Sequence, residues 1–298
     1  MRVTRSVADF LQPLERKLPL LIAALLCAVV ASFGWMVNRE LRTAFESAAG
    51  DRLTGAAQRI ASMLTAQTGA LKAEVGQLAS DTSVIAALAR PSDAVIAAAR
   101  ARLGLQRPSA TPLASRALFD RDCHLVMAAG PLAGTTTLHQ CGAGAATGEW
   151  IQPILVRSDT TYYSIVAPVL RATNDTLGYV VQVRQLGDKQ SAQALTAFMG
   201  RGSSLLIGNA IGAEVWTDLA RAVPGPPRSM ARGVPARFMP PDGHEALGVA
   251  LDIAATPWIV DVQMPLETAH SGQYEALRNL ALVALACVLV GAVGARMV

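Results

Sequence analysis

Two apolar runs bracket this chain. The first, Pro19–Val37, contains no charged residue, and the second, Leu280–Ala295, lies between two arginines. A helix that spans a bilayer needs about 20 mostly apolar residues, and arginines at its ends can reach the headgroups. The pattern therefore predicts two transmembrane helices. The first run has an alternative interpretation as a cleaved signal peptide, because Val29-Val30-Ala31 is a suitable cleavage site.

Between the apolar runs, residues 39–90 have a helical pattern. Apolar residues recur there at intervals of three, four or seven positions, and one series is unbroken: Leu64, Leu71, Leu78 and Ile85. This spacing predicts one long helix or helical stalk. Pro91 is expected to end it, and Ser92 is suited to cap a second helix over Asp93–Leu103.

After the proline-containing segment 108–112, the pattern changes to short strands and turns. A first group of strands is expected at Arg116–Asp120, His124–Ala129, Trp150–Arg157, Thr161–Arg171 and Leu177–Gln185. A helix over Lys189–Met199 follows. A second, weaker group is expected at Ser204–Gly208, Ala213–Trp216, Glu245–Ile253 and Trp258–Gln263. The predicted fold class is α+β, with two antiparallel sheets.

The charge distribution bears on location. The net charge is +4, yet residues 38–277 contain 20 Lys and Arg and 20 Asp and Glu, so the excess lies at the two ends. Basic flanks of membrane helices stay in the cytoplasm. Arginine outnumbers lysine 23 to 3, which suggests a high-GC bacterial genome. We therefore expect a multi-pass protein of the bacterial inner membrane, with residues 38–277 extracytoplasmic and no nucleic-acid partner.

Three segments carry a family resemblance. ALFDRDCHLVMAAG at 117–130 resembles the paired strands that open a PAS-like sheet. YYSIVAPVLRATNDTLGYVVQV at 162–183 resembles a Cache signature, in which a strand ending in Pro-Val and a polar turn precede a glycine and another apolar strand. TPWIVDVQMPLETA at 256–269 resembles the closing strand of a membrane-proximal unit. Their order between a long helix and a final membrane helix resembles the double Cache (dCache) extracytoplasmic sensor domain.

The resemblance implies the following organisation. We expect a cytoplasmic N-terminus (residues 1–18), a transmembrane helix (19–37) and a helical stalk with a second helix (38–112). A membrane-distal PAS-like unit (113–200), a membrane-proximal PAS-like unit (201–269) and a helix running into the second transmembrane helix (270–298) should follow. It also implies a sensor module of a histidine kinase, diguanylate cyclase or chemoreceptor, with the output domain outside this chain. We expect a homodimer. The alternative is a membrane-anchored interaction or assembly factor that senses no ligand.

Family members bind a small molecule in the distal unit, and five residues there are candidates for ligand binding: Trp150, Arg157, Asp159, Tyr162 and Ser164. Aromatic walls with a few polar groups suit a small-molecule site. The alternative is that the two aromatic residues belong to the core and that the charged pair forms a solvated turn. The Arg-x-Trp-Tyr element of amino-acid-binding members is absent from the sequence, so an amino-acid ligand is not supported.

The cysteines suggest a disulfide rather than catalysis. Cys123 and Cys141 both fall in the extracytoplasmic region, where thiols oxidise, so we expect them to be bonded. Two free thiols, or a metal site with His124 and His139, are the alternatives, although the spacing fits no standard zinc pattern. No nucleophile, phosphate-loop or metalloprotease motif occurs, so we expect neither an enzyme nor a cofactor.

Overall fold

The computed structural model describes residues 5–104, 113–130, 148–199, 202–227, 230–240 and 243–270, with seven further residues between 278 and 286. Two compact units are present. The first consists of residues 1–49 with 267–298, and the second of residues 50–266. Within the described residues, both β-sheets belong to the second unit.

Three helices precede the first sheet: α1 (Arg5–Ala79), α2 (Thr82–Ala89) and α3 (Asp93–Gly104). Of the two forms predicted for residues 39–90, one long helix or a helical stalk, the structure shows a helical segment divided in two, because α1 ends at Ala79 and α2 begins at Thr82. Asp81 causes the break, since its carboxylate accepts a hydrogen bond from the Ser83 N–H at 2.9 Å and caps a new helix. The second helix is confirmed as α3, and the Ser92 hydroxyl accepts from the Val95 N–H at 3.4 Å.

The first apolar run, Pro19–Val37, lies wholly within α1. Most of the second, Leu280–Ala295, lies outside the described residues. In the part of the chain that the structure describes, no helix combines the length and the apolar character needed to cross a membrane.

The first sheet, named the distal sheet after the predicted membrane-distal unit, has six antiparallel strands within the described residues: β1 (Leu113–Asp120), β2 (Leu125–Ala129), β3 (Trp150–Ile151), β4 (Leu155–Arg157), β5 (Thr160–Leu170) and β6 (Thr176–Gln185). Its order is β2-β1-β6-β5-β3, and β4 also pairs with β5. The strand predicted over Trp150–Arg157 is divided into β3 and β4. Pro153 lies in the interruption and has no N–H to donate to a neighbouring strand, while the side chain of Asn209 bonds both backbone groups of Ile154.

The helix α4 (Lys189–Met199), predicted with the same bounds, leads to the proximal sheet. This sheet comprises β7 (Ser204–Asn209), β8 (Trp216–Thr217), β9 (Ala222–Val223), β10 (Ala236–Phe238), β11 (Ala246–Asp252) and β12 (Trp258–Pro265), and a short helix α5 (Leu266–Ala269) follows. The order is β10-β11-β12-β7-β8-β9. The strand predicted over Ala213–Trp216 is wrong, since pairing begins only at Trp216. One reason is that Asn209 Nδ2 donates to the Ala213 carbonyl at 3.0 Å and holds a turn there.

The glycine of the Cache-like segment has a steric role. Gly178 lies in β6 opposite Asp120 of β1. A Cβ atom built on it would collide with the backbone oxygen of Phe119 and lie 2.8 Å from Leu88 Cδ1. Only glycine lets β6 approach β1 and α2 so closely, so the motif fixes how the distal sheet is packed.

Candidate functional site

The side chains of β5 alternate between two faces of the distal sheet. One, the Tyr162 face, carries Tyr162, Ser164 and Val166; the other, the Tyr163 face, carries Tyr163, Ile165 and Ala167. Strand pairing extends the Tyr162 face onto β1 and β6. An apolar cluster covers it, made of Ala117, Phe119, Val166, Tyr179, Val181 and Val183, with Ala128, Trp150 and Tyr162 partly buried against it.

Aromatic rings line part of the Tyr162 face. Trp150 of β3 pairs with Val166 and meets the ring of Tyr179 edge to face, with ring centroids 5.8 Å apart. Such contacts stabilise aromatic pairs beyond simple burial. Trp150 and Tyr162 are only partly buried. Two of the predicted residues therefore combine packing on the core with surface left to contact another molecule.

Polar groups also reach the Tyr162 face. Ser164, another predicted residue, is 5% exposed. The Gln152 N–H donates to its backbone oxygen at 2.9 Å, in register with the Trp150–Val166 pair. Gln152 is equally buried, and its Oε1 atom has no hydrogen-bond partner within the described residues. Sequence analysis missed Gln152, although a polar residue between Trp150 and an apolar segment is a recognisable signal.

The remaining two candidates lie at the tip of the β4–β5 hairpin. Arg157 pairs with Thr160, while Leu155 pairs with Tyr162, so Arg157 shares the Tyr162 face at its exposed end. Asp159 lies in the turn, where Ser158 and Asp159 have φ values of 46° and 65°. Two positive φ values are typical of a two-residue hairpin turn. The structure thus brings Trp150, Tyr162 and Ser164 onto one face and gives Asp159 a conformational role.

The Tyr163 face contains a buried ionic cluster that sequence analysis did not identify. Glu74 of α1 accepts from Arg116 Nη2 of β1 at 2.9 Å and from Arg184 Nη2 of β6 at 3.1 Å. Arg116 Nε also donates to Gln182 Oε1 at 3.0 Å. The two arginines are 6% and 1% exposed. One carboxylate therefore joins the helix to two strands, and the signal for it was the pair of arginines within otherwise apolar strands.

Burial dominates the electrostatics of this cluster. It lowers the pKa of Arg116; the Glu74 charge opposes that effect and the Arg184 charge adds to it. Burial also raises the pKa of Tyr163 to about 12. An arginine side chain stays protonated in proteins, so Arg116 keeps its charge despite this effect, and Tyr163 is a neutral phenol at neutral pH.

The two sheets meet at the segment between β3 and β4. The rings of Tyr163 and Trp258 are 5.0 Å apart at 84°, and Trp258 Nε1 donates to the Gln152 carbonyl at 3.3 Å. Asn209 Oδ1 accepts from the Ile154 N–H at 2.7 Å, and its Nδ2 donates to the Ile154 carbonyl at 3.0 Å. Two proximal side chains therefore hold the backbone that borders the Tyr162 face.

Cys123 is disulfide-bonded and adopts a φ of 65° in the turn between β1 and β2. Its expected partner, Cys141, lies outside the described residues, as does His139, so the Cys123–Cys141 pairing stays a prediction. Beside it, Asp120 Oδ1 accepts from the His124 N–H at 2.8 Å. Among the residues described, no three His, Cys, Asp or Glu side chains come together as a metal site.

Comparison with solved structures supports the fold. The sensory domain of the Campylobacter jejuni chemoreceptor Tlp3, with isoleucine bound, has a TM-score of 0.52 at 9% identity, over 77% of this chain and 97% of its own. The sensor domain of the V. cholerae histidine kinase DctB has a TM-score of 0.51 at 13% identity, over 74% and 98%. No protein-family profile and no curated sequence matches. At these identities the likeness concerns the fold, and at that level the dCache resemblance is confirmed.

Proposed function

We propose that this chain is the extracytoplasmic sensor module of a bacterial transmembrane signalling receptor of the histidine kinase, diguanylate cyclase or chemoreceptor type. The observation that carries the proposal is the shared fold, which covers nearly the whole length of two sensor domains. In this role the chain acts by binding a ligand rather than by catalysis, and it forms a homodimer.

The ligand site that we propose lies on the Tyr162 face. Trp150 and Tyr162 supply partly exposed aromatic walls, while Ser164 and Gln152 supply buried polar groups. Such a combination suits a small organic molecule, with the apolar surface providing affinity and the polar groups orientation. The Gln152 oxygen without a partner favours a ligand that donates a hydrogen bond.

Arg157 would allow this site to bind an anionic group of the ligand. It lies on the same face as Tyr162, at the exposed end of the hairpin. For a ligand that carries a carboxylate, the Arg157→Ala change should weaken binding by about 1.5–3 kcal/mol, the range for hydrogen bonds to charged groups. Because the side chain is exposed, solvent screens any interaction that it makes within the protein, and the same change should alter the free energy of unfolding by less than roughly 1 kcal/mol. Titration calorimetry and melting curves on both proteins measure the two quantities.

The membrane anchors complete the proposal. The apolar runs Pro19–Val37 and Leu280–Ala295 would hold the sensor at the inner membrane, with both termini in the cytoplasm. Alkaline phosphatase fused after residue 120 should be active, and phosphatase fused after Val298 should be inactive. The reverse pattern of activities contradicts this topology.

The ionic cluster offers a route from the ligand site to the helix. Glu74 of α1 bonds side chains of β1 and β6, whose alternate residues form the Tyr162 face. A ligand that prefers one arrangement of these strands would shift the position of α1 through this contact. Signalling then requires only a difference in ligand affinity between two arrangements.

Thermal melting of the full chain in detergent, with a panel of small organic acids, amines and sugars, tests the proposal. A ligand that binds only the folded state raises the melting temperature. Trp150→Ala and Tyr162→Ala should remove the response, whereas Met239→Ala, an exposed residue outside this face, should retain it. A response that survives both aromatic substitutions contradicts the site. A protein that responds to no ligand but binds a partner protein favours the assembly-factor alternative.

A further inference from the structure

A buried carboxylate lies at the centre of the proximal sheet, away from the proposed ligand face. Asp261 is in β12, between Ala250 of β11 and Leu206 of β7. Its side chain is completely buried. Charged residues are seldom fully buried unless they are paired, so this position calls for a physical reason.

Neither carboxylate oxygen of Asp261 has a hydrogen-bond partner among the described residues. The nearby cation is Arg232, whose backbone forms an isolated β-bridge with Ala250. Its side chain is paired with another carboxylate, because Arg232 Nε lies 3.6 Å from Asp252 Oδ1. Burial raises the pKa of Asp261 to about 7, and the Arg232 charge offsets this only in part. An unpaired buried carboxylate costs several kcal/mol, which a bound donor would recover.

Close packing around Gly248 shows which groups lie near Asp261. A Cβ atom built on Gly248 of β11 would lie 3.4 Å from Asp261 Oδ1, 3.3 Å from Met230 Cε and 2.7 Å from Phe238 Cε1. A carboxylate, a thioether methyl and an aromatic ring therefore converge above this glycine. Gln263, two residues along β12, adds a third buried oxygen without a partner in the described structure.

We propose that Asp261 and Gln263 form a second ligand site, which binds a small protonated primary amine. Both side chains offer unpaired acceptor oxygens, and an ammonium group supplies three N–H donors and the complementary charge. The Phe238 ring and the Met230 methyl can contact the carbon atoms of the amine, and the ring can also stabilise its positive charge.

A metal ion fits this site poorly. Calcium takes six to eight oxygen ligands and magnesium requires six in an octahedron, whereas two oxygen-bearing side chains are available here. An anion is disfavoured by the carboxylate itself. Because Asp261 is fully buried, the amine must enter by displacing the Met230 side chain, whose flexible thioether allows such a movement.

Thermal melting of the full chain in detergent tests the site, with ethylammonium chloride as the probe and sodium chloride at equal ionic strength as the reference. The measurement is made at pH 8, where Asp261 is ionised. Ethylammonium should raise the melting temperature in a saturable way. Asp261→Asn should raise the concentration for half the effect about 10- to 100-fold, the range for a charged hydrogen bond. Gln263→Leu, which replaces a partly exposed residue, should weaken the effect in the same direction.

Two controls distinguish this site from binding at the distal face and from a general effect of organic cations. Trp150→Ala removes an aromatic wall of the distal face and should leave the ethylammonium response unchanged. Tetramethylammonium chloride has no N–H donor and should give no saturable response. The proposal is overturned if wild-type protein does not respond, if Asp261→Asn responds like wild type, if Trp150→Ala abolishes the response, or if tetramethylammonium acts equally well.

Discussion

Replacing Asp261 by asparagine should remove a large part of the dependence of stability on pH between about 4 and 7. Burial raises the pKa of this carboxyl from 3.8 to about 7, despite the opposing charge of Arg232. The folded protein therefore keeps a proton that the unfolded chain has lost in this pH range. Linkage then requires the free energy of unfolding to fall as pH rises. The stabilising contribution is complete below about pH 4 and is lost by about pH 7.

The size of the effect follows from the difference between the two pKa values. The shift of about 3 units corresponds to about 4 kcal/mol at 1.36 kcal/mol per unit. For a folded unit of 150–250 residues, 1 kcal/mol changes the melting temperature by about 2–4 °C. When pH is raised from 4 to 7, the melting temperature of the wild-type protein should therefore fall by roughly 8–16 °C more than that of Asp261→Asn.

Tryptophan fluorescence is a suitable probe, because Trp216 and Trp258 both lie in the proximal sheet. Melting curves of wild type and Asp261→Asn are compared across the pH range, and the difference between the two proteins is the measured quantity. Asp122→Asn, which neutralises an exposed carboxylate in the turn between β1 and β2, is the matched control and should follow wild type. Parallel pH profiles for wild type and Asp261→Asn would refute the reasoning, because they would show that burial does not perturb this carboxyl.

Three further experiments test the distal sheet. Gly178→Ala should destabilise the fold by about 1–3 kcal/mol, the usual range for overpacking, whereas Gly69→Ala, with open space around it, should stabilise α1 slightly; urea unfolding of both variants gives the comparison. Glu74→Gln should lower the free energy of unfolding by roughly 1–3 kcal/mol, because two buried guanidinium groups lose their shared carboxylate, and an unchanged urea midpoint would contradict the role of the cluster. Non-reducing peptide mapping should recover Cys123 linked to Cys141, and a linkage to any other cysteine would refute the predicted pair.

The faces of the distal sheet could be predicted because the period of a strand is a local property. In the segment around Tyr162, alternation alone separates the residues of the two faces, and the structure confirms that separation. Alternation along the strand could not predict which of the two faces contacts α1. That contact depends on Glu74 bonding a residue 110 positions later in the chain, which is a tertiary interaction with no local signature.

The errors in the predicted elements have two different origins. The break after α1 was present in the sequence, since Asp81 followed by Thr82 and Ser83 is a capping pattern, but the seven-residue apolar series that runs through it argued for continuity. The break in the strand over Trp150–Arg157 has a local signal in Pro153, which has no N–H to donate to a neighbouring strand, and a contribution from Asn209, 55 residues away from Ile154, that no local pattern reveals. The burial of Asp261 was equally hidden, because a charged residue in an alternating strand is expected to face solvent.

The pairing of Asn209 with Ile154 limits how this domain can be recombined with others of the same fold. Chimeric proteins are made by exchanging a segment between two related chains, and the short segment between α4 and β7 is an obvious crossover point. A crossover there would take β3 and β4 from one parent and Asn209 from the other. The amide of Asn209 bonds both the N–H and the carbonyl of Ile154, so the incoming segment would have to match that geometry to the atom. Crossovers outside residues 150–263 keep this pair, the Trp258 contact and the Asp261 environment within a single parent.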